Sequence, residues 1–412
     1  MARVPTLRPR ATEMNRTAPM RAENPIPAAA QETSAALLEL IRAEVESRGG
    51  RLPFDRFMEL ALYAPGLGYY VAGAEKLGAT GDFVTAPEVS PLFARALAVA
   101  CTEVLDALGG GDLLELGAGT GALAAELLHA LDAAGRLPDR YLILEPSPEL
   151  AARQRECLGA RLPKLMPRVD WISTLPRGMR GMILANEVVD AMPVNRFSIA
   201  PDGHPLELFV EADESGLREV ADTPVSAGLA AAVAALQAEG HARVPGYCSE
   251  VNLRLRPWVA ALAEALSEGL FLVIDYGYPR AEYYLPERRM GTLICHARHR
   301  AHADPYRDVG LQDITASVDF TALAEAGAAA GMKLSGYTTQ ANFLLGCGID
   351  RLLGEAMASA PDPAATMSLT AGAKQLLLPT RMGERFQVMA LARDLPITLA
   401  GFALRDLGHR LW

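Results

Sequence analysis

Residues 113–123 read Leu-Leu-Glu-Leu-Gly-Ala-Gly-Thr-Gly-Ala-Leu. A short apolar run stops at Gly117, glycines alternate with small residues, and an apolar helical pattern begins at Ala122. Glycine lets the chain turn sharply and lets a ligand approach the backbone where a Cβ would block it. The helix that follows offers unpaired N–H groups at its start. The stretch is therefore strand, binding loop, helix. Taken alone it is ambiguous. Gly117, Gly119 and Ala122 also satisfy the dinucleotide fingerprint with its permitted alanine, and a strand–loop–helix unit without any ligand follows the same grammar.

Outward from this loop, strands and helices alternate. Asp112–Leu116, Tyr141–Leu144, Val169–Ile172, 182–185 and 270–274 are short apolar strands, with helices expected at 122–134 and 148–157. Continuous apolar strands alternating with helices imply a parallel sheet covered on both faces. Between the fourth and fifth strands lies an insertion. Segments 194–199 and 206–211 flank Pro201-Asp202-Gly203, which is hairpin grammar, and a helix is expected at 227–238. Two late strands, Lys333–Thr339 and 385–392, are separated by a helical insertion at 349–378. Ahead of the glycine loop, helices at 35–46, 54–62 and Pro91–Leu108 bracket a stretch rich in Gly and aromatics that contains GDFVTAPEVS, 81–90. The chain divides into a disordered tail 1–34, a helical segment with a flanking loop 35–110, a core 111–395 with insertions at about 195–250 and 345–380, and a C-terminal tail 396–412.

Composition removes several classes of function. The chain has 412 residues, 50% hydrophobic and 21% charged, which argues against collagen, coiled coil and wholesale disorder. Its net charge of −10 disfavours nonspecific duplex binding, which needs a cationic face. Cys101, Cys157, Cys248, Cys295 and Cys347 are far apart and never spaced as C-x-x-C, which argues for a reducing compartment and against a disulfide framework or a thiolate zinc site. No apolar run is long enough to span a bilayer, and no apolar core of a secretory signal stands near the start. Residues 1–30 carry five arginines and no serine, so a disordered tail and a weak organelle-targeting presequence both remain open.

Glu115 bears on the ambiguity of the loop. An acid two residues before the first glycine would be costly in a packed strand unless it is paired. S-adenosylmethionine carries an ammonium and a sulfonium, and a carboxylate beneath the loop can offset that charge. Glu145, followed by Pro146, ends the second strand where ribose hydroxyls are bound, although an acid there could instead cap the next helix. Asp170 and Trp171 close the third strand, where a polar group and a ring would hold adenine; Trp171 reads equally well as a core residue. Asn186, Glu187 and Asp190 follow the fourth strand, where ligands sit in open α/β sheets, or they cap a helix there.

These residues carry a resemblance. GDFVTAPEVSPLF (81–93), LELGAGTGAL (114–123), LEPSPELAARQ (144–154), ANEVVDAMPV (185–194), VIDYG (273–277), GLQDITASVDF (310–320) and LLLPTRMGERFQVM (376–389) occur in this order. Together they resemble the MidA-like family of class I S-adenosylmethionine-dependent methyltransferases, over roughly residues 35–395. The resemblance implies an α/β Rossmann-like fold, a seven-stranded and mostly parallel sheet, with an N-terminal helical segment and helical and hairpin insertions. It implies S-adenosyl-L-methionine as cofactor, contacted by Gly81, Asp82, Thr85, Ala118, Gly119 and Gly121 as well as the acids above. It also implies arginine N-methylation of a protein, with mitochondrial members similar to enzymes that modify a subunit of respiratory complex I and assist its assembly. Ala118 departs from a proline frequent in the family.

For such chemistry the acceptor must be aligned with the methyl group. Carboxylates that grip a guanidinium can orient it and draw its charge away from the attacking nitrogen. Glu187 and Asp190 are the expected catalytic acids, with Glu88 and Glu250 as further candidates. Tyr276, Tyr278 and His299 are expected near the acceptor cleft, or as packing and surface residues. His296, His299 and His302 beside Cys295 do not match a common zinc spacing, and no metal is expected. No nucleic-acid partner and no membrane insertion are expected, and a homodimer is compatible with the family. The compartment expected is the cytoplasm of a bacterium, or the mitochondrial matrix of a eukaryote. A small-molecule or RNA methyltransferase, a non-catalytic cofactor-binding assembly chaperone and a nicotinamide oxidoreductase stay open as alternatives.

Overall fold

The computed structural model describes residues 27–72, 85–298 and 300–412. Seven strands form the path of its main sheet, β1 Asp112–Leu116, β2 Tyr141–Leu144, β3 Val169–Ile172, β4 Met179–Asn186, β5 Leu266–Tyr278, β6 Lys333–Thr339 and β7 Phe386–Arg393, and the short strand Val318–Asp319 adds an eighth beside the end of β5. Their spatial order is β6-β7-β5-β4-β1-β2-β3. The first five strands pair in parallel, and β7 runs antiparallel to β5 and β6. The strand order reverses between the paired neighbours β1 and β4, and ligands bind beyond the C-terminal ends of the strands at such a switch point.

Side chains alternate between two cores, as the period of a strand requires. Leu113, Met182, Leu184, Leu270 and Leu272 pack with the helices Pro91–Leu108 and Ala122–Ala133. Leu114, Ile183, Phe271 and Val273 pack on the opposite face with Leu255–Ala265 and Phe320–Ala329. Pro91–Leu108 has clear end signals. The Ser90 hydroxyl accepts the Leu92 N–H, Pro91 occupies the first turn, and Gly109 ends the helix in the left-handed region.

The insertion after β4 is larger than a hairpin. Asn195–Ile199, Pro205–Asp213 and Gly216–Asp222 join Cys248–Val251 and the short Leu52–Pro53 in a five-stranded sheet. Gly216–Asp222 is an edge strand, half-exposed and exposed throughout, so it lacks the apolar alternation that marks a strand in sequence. A smaller sheet sets Ile294–Ala297 between Arg300–His302 and Asp313–Thr315.

The structure corrects both expected tails where it describes them. The first helix begins at Ala28, not near Ser34, because Pro27 and the run Ala28-Ala29-Ala30 favour a helical start. Residues 1–26 lie outside the described residues. The segment 396–412 is no tail: Leu399, Phe402, Leu407 and Leu411 are buried, and the Phe402 ring meets Phe343 edge-on at 5.2 Å. The single helical insertion expected at 349–378 is broken into Ile349–Ala358 and Pro363–Leu377, with Asp362 capping the second. Among the described residues, no helix is long and apolar enough to cross a membrane. Removing the buried ring in Phe402→Ala should lower stability by about 3–5 kcal/mol, measured by chemical denaturation. A segment that merely trails from the core would show no change.

Candidate active site

A cavity of about 280 Å³ opens at the ends of β1, β2 and β4. Gly117, Ala118 and Gly119 form one wall, Glu145 and Pro146 a second, Asn186 and Glu187 a third. Thr85 and Glu88 line it from the segment before the core fold. Gly81 and Asp82 lie outside the described residues. Gly117 and Gly119 have φ of +63° and +54°, a region that disfavours any side chain with a Cβ. Gly121 has a different job and is not among the cavity walls. A Cβ there would meet Leu158 Cδ1 at 2.9 Å, so Gly121 lets Ala122–Ala133 pack on Pro148–Arg161.

Glu115 also lines the cavity and is buried. The Tyr141 hydroxyl donates to its Oε2 at 2.7 Å, yet burial pushes its pKa up to about 7. Glu145 accepts from the Ser147 N–H at 2.9 Å and from Gln154 Nε2 at 2.9 Å. Ser147 caps the next helix by accepting the Leu150 N–H, so Glu145 is left to face the cavity. Gln154 ties the wall together. Its Nε2 also donates to the Gly119 carbonyl at 3.0 Å, and its Oε1 accepts from Trp171 Nε1 at 2.9 Å.

Trp171 and Asp170 therefore differ from expectation. Neither lines the cavity. Asp170 sits on the exposed face of the sheet's edge strand, and Trp171 packs on the core with Arg155 over its ring at 4.5 Å. Trp171 acts on the site through Gln154.

No helix follows β4. The chain makes a turn, with Glu187 at φ +54°. This left-handed conformation is uncommon for glutamate, and such strain concentrates at functional sites. Asp275, at the end of β5, supports the turn by accepting the N–H groups of Val189 at 2.9 Å and Asp190 at 3.2 Å. Glu187 Oε1 accepts from the Ala86 N–H at 3.3 Å and Asn186 Nδ2 at 3.2 Å. Both donors fall on one oxygen, which leaves Oε2 for a ligand. Burial and the neighbouring Asp190 push the Glu187 pKa up to about 8. Asp190 lies behind the wall, buried, its pKa raised by burial and held down by the adjacent Tyr276 hydroxyl.

A second cavity, about 430 Å³, shares Glu187 with the first and is also lined by Tyr276 and Tyr278. It adjoins the first cavity at Glu187. His299 lies outside the described residues, and His296 lines this cavity. Glu250 does not belong to either. It is fully buried in the second sheet, accepts the Thr292 N–H at 2.8 Å and lies 3.6 Å from the Arg196 guanidinium. Its role is to hold the insertion together.

The aromatic wall residues Tyr63, Tyr70 and Trp258 had no assignment from sequence. The Tyr63 and Tyr70 rings stack at 5.5 Å, and their hydroxyls donate to the Ala191 carbonyl and to Asp313 Oδ1, each at 2.9 Å. The aromatic density of 63–70 was the available signal, but nothing in it says which distant strand end these rings meet.

The residues present fit an S-adenosyl cofactor. Glu88 Oε2 and Asn186 Oδ1 are buried on the cavity wall without partners among the described residues, as acceptors awaiting a donor would be. The loop backbone is bare at Gly117 and Gly119, and Glu145 stands at the strand end suited to vicinal hydroxyls. Gly119→Val should abolish S-adenosyl-homocysteine binding in calorimetry while the protein stays folded. Gly121→Val should instead lower the thermal midpoint through the Leu158 clash. The raised pKa of Glu187 predicts a pH effect with a definite sign. The folded state holds its proton up to about 8 whereas the ordinary value is 4.5, so stability is lost as pH rises across that window. Glu187→Gln should lose that slope, and its melting temperature should gain on the wild type as pH rises through the window.

Comparison with known proteins agrees with this geometry. Residues 96–338 match the model of a family of S-adenosyl-L-methionine-dependent methyltransferases. The crystal structure of a COG1565 superfamily member from Burkholderia thailandensis, bound to S-adenosyl-homocysteine, is 43% identical and superposes with a TM-score of 0.88, covering 94% of this chain and 100% of that one. Protein arginine methyltransferase NDUFAF7, mitochondrial, is 29% identical in Danio rerio, covering 83% of this chain and 83% of the relative. The human protein of that name is 27% identical, covering 83% and 80%. With its glycine loop, its acidic cavity walls and its strand order, the chain belongs to this family of S-adenosyl-L-methionine-dependent methyltransferases, the MidA-like family whose motifs it carries.

Proposed function

We propose that the acceptor is an arginine side chain of a protein. The observation that carries this reading is the place of Glu187: a half-buried carboxylate at the one wall that the cofactor cavity and the second cavity share, with a free oxygen. The names of the relatives as protein arginine methyltransferases support it. When bound, the cofactor supplies an electrophilic methyl group on a sulfonium.

The chain's own residues do the rest. Burial favours the protonated form of Glu187 in the free protein, and a guanidinium set against it lowers that pKa, so the carboxyl releases its proton to solvent and an ion pair forms. An ion pair in a dry site fixes the plane of the guanidinium and localises its positive charge near Glu187, away from the nitrogen that must attack. Asp190 and Tyr276, behind and beside Glu187, set the local field and are positioning residues. Glu88, on the cofactor side, is a second acid whose pKa burial raises. Both cavities are lined by one copy of the chain, so the reading holds for a monomer or a homodimer. A subunit or assembly intermediate of respiratory complex I is the first acceptor to assay, in the mitochondrial matrix if the source is eukaryotic and in the bacterial cytoplasm otherwise.

Glu187→Gln keeps the shape and removes the charge. Turnover should fall by about 10²-fold, as for loss of one preorganised electrostatic contact, with S-adenosyl-homocysteine affinity retained. The assay is transfer of labelled methyl to extract from a deletion strain, with the modified residue located by mass spectrometry. Normal turnover in Glu187→Gln would move the role to Glu88, and label on a residue other than arginine would end the reading.

A further inference from the structure

The second cavity has an electrostatic character that an arginine acceptor does not explain. Arg288, Arg381 and Arg385 line it, and among the described residues Glu187 is the only carboxylate on its walls. This concentration stands against a chain whose net charge is −10. It also differs from several arginines that brace the fold. Arg56, Arg140, Arg196, Arg254 and Arg280 each have a carboxylate within ion-pair distance. Arg288, Arg381 and Arg385 have none among the described residues.

Arg288 is held in place. Its guanidinium lies over the Tyr278 ring at 3.9 Å, and its Nη1 donates to the Glu282 carbonyl at 2.9 Å. Arg381 and Arg385 are exposed at the rim, on the turn that leads into β7. A lone arginine side chain entering past three guanidinium groups would be repelled. An acceptor that also carries negative charge would be drawn in and oriented, since interfacial charge complementarity steers encounter and fixes register.

On the arginine reading above, we infer that this cavity is a subsite for carboxylate side chains flanking the target arginine, so that the substrate is an acidic protein segment with an arginine in it. Arg288 forms the floor of the subsite and Arg381 and Arg385 its rim. Ser317, Thr292 and Gln375, also on its walls, supply polar contacts for an extended backbone. A long polyanion such as RNA is disfavoured because the cationic groups are confined to one cavity of an acidic molecule.

The test uses the full chain with S-adenosyl-homocysteine and fluorescent peptides containing one arginine, flanked by Glu, by Gln or by Lys. Anisotropy should show the Glu peptide binding about tenfold tighter than the Gln peptide, with the preference falling as salt screens exposed charges. Arg381→Glu combined with Arg385→Glu should erase or invert the preference while the melting temperature and S-adenosyl-homocysteine affinity stay at wild-type values. Arg288→Gln gives a second, milder variant with the same expected direction. Equal binding of all three peptides would overturn the subsite. So would tighter binding of an oligouridine than of the Glu peptide, lost in the same variants. Mass spectrometry of the peptides after incubation with S-adenosylmethionine separates the two layers: arginine methylated regardless of flank sinks the subsite and keeps the arginine acceptor, whereas label off arginine sinks both.

Discussion

A fully buried carboxylate, Asp275, accepts the N–H groups of Val189, Asp190 and its own neighbour Tyr276. With that one group, the end of β5 holds the turn at the end of β4. The turn carries Asn186 and Glu187, and it places Asp190 beside Tyr276. Burial and the neighbouring acids push its pKa well up, so the carboxyl serves by its acceptor oxygens, and without them the three N–H groups would be orphaned. The register of β4 against β5, and with it the wall between the two cavities, depends on this exchange.

The same neighbourhood explains why the site is tense. Burial raises the pKa of Glu187, Asp190 and Asp275; Asp190 adds to that of Glu187, and Asp190 and Glu187 add to that of Asp275. Glu187 adds a left-handed backbone conformation. A cation brought into the cavity relieves the electrostatic part of this tension, which means that binding and ionisation are linked. Strain of this kind is stored where function uses it and is compensated by the cores on either face of the sheet.

Much of this was legible along the chain because it is local. The strand–loop–helix at 112–133, the acid at 115 and the acid at 145 each announce themselves within a few residues. Gly121 was misread because a tight helix–helix approach and a ligand approach both demand a missing Cβ, and sequence cannot tell which neighbour arrives. Asp170 was misread because a strand end has two faces, and only the sheet's edge reveals which one is wet. Glu250 looked like a free acid until Arg196, in the adjacent strand, and Thr292, in a distant loop, closed around it. Asp275 sat in a recognised motif without a role, because its partners lie on another strand.

The walls built by Tyr63 and Tyr70 carry one more consequence. Leu37, Ile41, Phe57 and Met58 share a core with Val309, Ile314 and Ala316, and Tyr70 bonds Asp313. The segment 37–70 must therefore wait for residues made much later before it can bury its apolar face. Contacts so distant in sequence are slow to close, and the entropy of closing them comes first. A chain cut before residue 309 would carry the complete glycine loop and still lack the partners that seat Tyr63 and Tyr70, so the pocket wall waits for a segment far along the chain.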